Sequence, residues 1–153
     1  MKDPGTMKML QELGAFILAG AKGPADVKTM CEMIRGERSW RWVGVYKVNR
    51  GNLAIVAGTG DQPPCYPLFP VKQGLCGAAV EARETILVND VRKDVRYLPT
   101  FNSTRSEIVV PVISQTENVV GVIAAESEKV KAFSKEDREV LERVAMLMGR
   151  AFK

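Results

Sequence analysis

The stretch PPCYPLFPVKQGLCGAA holds Cys65 and Cys76, two of the three cysteines in the chain. A thiol pair eleven positions apart (65 to 76) can cycle between dithiol and disulfide. Alternatively, one thiol can attack an electrophile while the other resolves the product. Both reactions need a thiolate. Cys76 sits near the start of a short helix read from GLCGAAVEAR. The helix dipole there would lower its pKa, helped by Lys72 if it folds close; burial in a pocket would raise it. An inert, structural pair of small apolar residues is the competing reading. Glu107 opens the apolar run SEIVVPVIS. It reads equally as a solvated strand end or as a carboxylate turned into a pocket, where it would hold a cationic or amide group. Cys31 falls on the apolar stripe of a helix and reads as a buried small hydrophobe.

Composition removes several chemistries. The 153 residues contain no histidine. There is thus no Ser-His or Cys-His nucleophile pair, no imidazole metal site and no histidine ligand for a haem iron. Three cysteines without histidine make a poor zinc set, and no metal is expected. Neither a GxxxxGK[ST] loop nor a GxGxxG fingerprint occurs, and no cofactor is expected. A net charge of +4 is spread among interleaved acids, as in KEDREVLER, rather than gathered in the basic, aromatic-laced patch of a nucleic-acid binder. No apolar run approaches the roughly 20 residues of a membrane helix, and LGAFILAGA lacks the flanks of a signal peptide. Odd, widely spaced cysteines suit a reducing compartment, so a cytoplasmic location is expected.

The elements that must position these groups follow from periodicity. Met9, Leu10, Leu13, Phe16 and Ile17 recur at helical spacing, with Gly20 as a stop. Val27, Met30, Cys31 and Ile34 repeat the pattern up to Gly36. RWVGVYKV and LAIVAG flank the turn NRGN, which predicts an antiparallel pair. PLFPV predicts a short edge strand, since proline is tolerated at edges. ETILVND is a further strand, and residues 91–105 form an unusually long loop of the kind that often carries function. SEIVVPVIS and VVGVIAAES make a second hairpin around QTEN. Ser134 with Asp137 caps a final helix carrying Val140, Leu141, Val144, Met148 and Ala151 on one face. MKDPGT, ahead of Met7, reads as an appended leader (residues 1–6) and is set outside the fold, leaving one domain over 7–153. The class is α+β, with five to six antiparallel strands and the N- and C-terminal helices on one side. Methionine-rich helix faces suit either core packing or a dimer.

From about Trp42 to Leu141 the chain resembles the GAF domains, a PAS-related fold, and within them the free methionine-(R)-sulfoxide reductases. WVGVY, PPC followed eleven residues on by GLCG, ETILVNDV, SEIVVPV, GVIAAES and FSKEDREVLE carry the resemblance by their order and spacing. It implies a small-molecule pocket on one sheet face, covered by loops, and a homodimer built from the terminal helices. It also implies a catalytic cysteine six residues before the serine of SEIV. That serine is Ser106, and the position holds Thr100. A threonine hydroxyl cannot take over, because its pKa is far too high and its oxygen does not form a sulfenic acid equivalent. The family's neighbouring aspartate is Phe101 here. Of its three substrate-binding carboxylates, one is kept as Glu107, one is Ala124 and one is the longer Glu126. The aromatic wall is partly kept as Trp42 and Tyr46.

Three functions are consistent with these residues. The first is a ligand-binding GAF module without catalysis, its small molecule held by Trp42, Tyr46, Thr100, Glu107 and Glu126. The second is a diverged reductase in which Cys65 or Cys76 attacks and thioredoxin returns the electrons. The third is a thiol redox sensor closing a Cys65–Cys76 disulfide. The first leads, because the scaffold is intact and the nucleophile is missing.

Overall fold

The computed structural model describes residues 3–36 and 38–152. Helix α1 (Pro4–Leu18) opens with proline at its first turn, and its Asp3 cap accepts hydrogen bonds from the Thr6 amide and hydroxyl, each at 2.9 Å. Residues 3–6 are therefore the start of a helix and not a segment outside the fold; Thr6 is buried. Proline costs nothing here, because a first-turn amide has no intrahelical partner. Helix α2 (Gly23–Arg35) buries Val27, Met30, Cys31 and Ile34, the stripe read from the sequence.

Strands β1 (Trp42–Asn49) and β2 (Asn52–Gly58) meet at Arg50 and Gly51. Both turn residues have positive φ, 51° and 82°, the backbone twist that tight hairpins select. The short β3 (Leu68–Pro70) pairs with β2. Helix α3 (Gly74–Ala82) then leads to β4 (Ile86–Val88), and β5 (Ser106–Ile113) and β6 (Val119–Ser127) form the second hairpin. The last element, α4 (Lys135–Ala151), starts with a full capping box between Ser134 and Asp137.

The six strands run in the order β3-β2-β1-β6-β5-β4, and every pairing is antiparallel. The sheet thus has its edges at β3 and β4, and the chain between them passes over one face as α3. The other face is covered by α2 and α4, with α1 packed on both of those helices. Val43, Val45, Ile108, Val110, Ile123 and Ala125 point to that side and join Leu13, Met30, Ile34, Leu141 and Met148 in one core. Their sequence neighbours point the other way. Trp42, Tyr46, Val109, Val122 and Ala124 meet Leu75, Cys76 and Ala79 of α3 in a second core. Strand alternation makes the two cores distinct, so a polar residue on the α3 side has no contact with the helical layer.

Candidate functional site

Three neighbouring strands place the site. Trp42 of β1 lies opposite Glu126 of β6, and Glu126 lies opposite Glu107 of β5. The three residues form one row across the sheet, on the α3 side. The next row is Gly44, Ala124 and Val109. Gly44 also pairs with Gly58. A Cβ at Gly44 would stand 2.0 Å from the Trp42 ring, and one at Gly58 2.6 Å. The two glycines thus make the bed on which the indole lies. Phe101 meets the indole edge-on at 5.4 Å, and Tyr46 bridges it to Phe69.

Both carboxylates are out of water: Glu107 is 3% exposed and Glu126 0%. The Thr104 hydroxyl donates to Glu126 Oε1 at 2.7 Å. Glu126 Oε2 and Trp42 Nε1 have no hydrogen-bond partner. The unpaired acceptor is on the β6 side of Trp42, whereas the unpaired donor lies over Gly58 on the β2 side. A buried group left unmade costs about 1–3 kcal/mol, and Oε2 is the one that a hydrogen-bond donor would complete.

Charge follows from burial. Desolvation, then the charge of Glu126, pushes Glu107 well above the ordinary carboxylate value. Desolvation pushes Glu126 to about 7, against the pull of the Thr104 and Thr100 hydroxyls and the Arg41 guanidinium. Burial likewise raises the Cys76 thiol, with Glu107 and Glu126 adding to the effect. Of the two opposed expectations for Cys76, burial wins over the helix dipole, and the thiol is protonated at neutral pH. The Tyr46 phenol is raised for the same reasons.

A cavity of about 20 Å³ adjoins the Glu107 end of this row, bounded by Tyr46, Phe69, Cys76, Leu98, Thr100 and Glu107, with the half-exposed Tyr66 also in its wall; Trp42 and Glu126 lie outside that wall. That volume holds about one water, whereas a ring the size of benzene fills roughly 150 Å³. A larger ligand must therefore displace the covering segments, residues 59–67 and 94–104. They are stapled to each other where the Cys65 amide donates to the Thr100 carbonyl at 3.0 Å. Arg41 adds a second staple: its guanidinium lies 4.4 Å from the Phe101 ring and donates to Gln62. Wider surface grooves, such as that of about 450 Å³ beside Lys22 and Phe152, contain neither a thiol nor a buried carboxylate.

Trp42, Tyr46, Thr100, Glu107, Glu126 and Cys76 are thus brought together. Cys65 is not in the cavity wall; it is exposed, and all three cysteines are free thiols. Cys31 is buried with its pKa raised to about 12 by desolvation, first of all, as a core residue. Sequence reasoning did not find Thr104, Arg41 or Phe69. Thr104 stands two residues before Ser106 in the long loop, and polar residues ending such a loop were the available signal.

An antiparallel sheet with a helical layer on one face and a loop-covered cavity on the other defines an α+β domain of the GAF type. The GAF domain family model matches residues 27–153, and the chain belongs to the GAF domain family. Its relatives include free methionine-R-sulfoxide reductases. A solved type II enzyme of that name from Thermoplasma acidophilum is 33% identical, with 90% of this chain and 92% of that chain covered and a TM-score of 0.78. The free methionine-R-sulfoxide reductase of Saccharomyces cerevisiae is 31% identical over 112 residues, 72% of this chain. This chain spans 62% of the yeast protein's length. The enzyme of that name from Neisseria meningitidis, solved with its substrate, shares the fold: TM-score 0.88 at 24% identity, covering 99% of this chain and 92% of that one.

Proposed function

We propose that the α3-side cavity binds a small molecule bearing a cationic amine, and that a free amino acid of the methionine sulfoxide type is that molecule. The observation that carries this reading is the buried Glu107–Glu126 row with Glu126 Oε2 unpaired. An ammonium group offers three donors and one positive charge, and satisfies both needs. The aromatic wall of Tyr46, Tyr66 and Phe69 suits the apolar part of such a ligand. The names of the relatives support the choice of sulfoxide. Calorimetric titration with L-methionine-(R)-sulfoxide tests it. Binding that is lost in E107Q supports the reading; a folded protein giving no heat with the sulfoxide or with methionine contradicts it.

A second reading, reduction of the sulfoxide, is favoured by the Cys76 thiol beside Glu107 in the cavity wall. Cys76 Sγ would attack the sulfoxide sulfur and take its oxygen, giving the thioether and a Cys76 sulfenic acid. Cys65, after movement of its segment, would displace hydroxide from that sulfur, giving a disulfide and water. A dithiol such as thioredoxin would then return both cysteines to thiols. The ligand's ammonium would also offset the two carboxylates, which add to burial in holding the thiol protonated. Turnover in a thioredoxin-coupled assay that disappears in C76S supports reduction. Binding without turnover leaves the domain a binding module.

A further inference from the structure

We propose that the cavity exchanges a proton for its ligand: in the empty site Glu107 and Glu126 share one proton, and a ligand cation entering beside them expels it. The inference rests on the binding reading above and goes beyond it, because it fixes how occupancy must depend on pH.

The geometry carries it. Glu107 and Glu126 are directly opposed on adjacent antiparallel strands, and both are buried. Side chains so placed start from Cβ atoms about 4.5–5.5 Å apart. Two carboxylates that close cannot both be ionised without a counter-charge, and they titrate as a unit. The elements around the pair bring mostly neutral groups. From β1 comes Tyr46, with its phenol protonated. From α3 comes Cys76, with its thiol protonated. The covering segments contribute Tyr97, also raised by burial, the hydroxyls of Thr100 and Thr104, and the exposed Cys65. The described residues lining the cavity include no lysine or arginine. Arg41 pulls on Glu126, but its guanidinium is stacked on Phe101 and tied to Gln62. One negative charge can thus be tolerated in the row, and the second waits for a cation from outside.

The balance is simple. The pair with one proton takes up one ligand cation and releases one proton to solvent, so the charge of the filled site equals that of the empty one. Affinity therefore rises with pH, by up to about tenfold per pH unit, until the pair loses the proton unaided.

Infrared difference spectroscopy of the whole chain tests both halves. At pH 7 the wild-type protein should show a protonated carboxyl carbonyl band that is missing from the E107Q/E126Q double variant. Saturation with L-methionine-(R)-sulfoxide should abolish that band. Calorimetry at pH 8, above the value of about 7 for Glu126, in two buffers of different ionisation enthalpy should count about one proton released. A missing band in the empty wild type overturns the shared proton. Binding with the band intact, or with heat independent of buffer, overturns the exchange but leaves the binding reading standing. Absence of any binding, in a protein that still shows the band, overturns the binding reading and the exchange that rests on it, while the shared proton stands.

Discussion

Replacing Glu126 by glutamine should make the empty domain more stable at pH 8 and leave it unchanged near pH 4.5. The pKa of Glu126 rises from 4.5 to about 7 on folding. Below 4.5 the carboxyl is protonated in both folded and unfolded chains, and the stabilisation is fully present. Between 4.5 and about 7 the unfolded chain ionises while the folded chain keeps its proton. Unfolding then releases a proton, and stability falls as pH rises through that window. At about 1.4 kcal/mol per pH unit the loss is on the order of 3 kcal/mol. Glutamine does not ionise, so the E126Q domain escapes it. Its amide oxygen can still accept from Thr104, which donates to Oε1 at 2.7 Å in the parent. For a domain of this size, ~3 kcal/mol corresponds to roughly 6–12 °C in Tm. Thermal melts of both proteins without ligand, at pH 4.5 and pH 8, read the effect; titrating groups other than Glu107, whose carboxyl is raised by burial and then by Glu126, cancel in the difference. An E126Q protein no more stable than wild type at pH 8, or a gain that persists at pH 4.5, would refute the reasoning. The same variant should lose ligand binding, since stability and function compete at a site that keeps a charge out of water.

Gly58→Ala should push the Trp42 indole off its bed, because the added methyl would stand 2.6 Å from the ring. The expected loss is about 1–3 kcal/mol with a shifted tryptophan emission, and normal stability would contradict the packing described. Ser134→Ala removes an oxygen that accepts from the Asp137 amide at 3.1 Å. It should cost about 1 kcal/mol, read as a Tm drop of roughly 2–4 °C. Brief iodoacetamide treatment of the native protein should label Cys65 alone, since Cys31 and Cys76 are buried. Intact mass should then show three labels after denaturation, and rapid native labelling of Cys76 would contradict its burial.

The hairpins, the edge strand and the helical stripes were legible because each rests on local pattern. NRGN marks a turn, Pro67 and Pro70 mark an edge, and Val27, Met30, Cys31 and Ile34 share one helical face. The face taken by Glu107 was not legible. Both sides of β5 are covered, so SEIVVPVI is apolar throughout and shows no alternation to assign the glutamate. Glu126 is marked in the sequence by family resemblance alone, and only the sheet register shows that it opposes both Trp42 and Glu107. Thr104 meets Glu126 across 22 positions from a loop without period, a contact that no local rule carries. The start of α1 was not legible for a different reason: a charged, Pro-Gly opening resembles an added leader, and Asp3 and Pro4 are also what a helix N-terminus uses.

The central claim is that a cationic small molecule binds at the Glu107 end of the row of Trp42, Glu126 and Glu107, displacing the covering segment that carries Phe101. The chain has two tryptophans, and Phe101 packs edge-on against Trp42. An NMR titration of the 15N-labelled protein with L-methionine-(R)-sulfoxide reads that displacement at the Trp42 indole. The account predicts that the Trp42 indole resonance moves to saturation while that of Trp40, on the helical side of the sheet, stays in place. A Trp42 resonance that does not move while other signals report binding would contradict it.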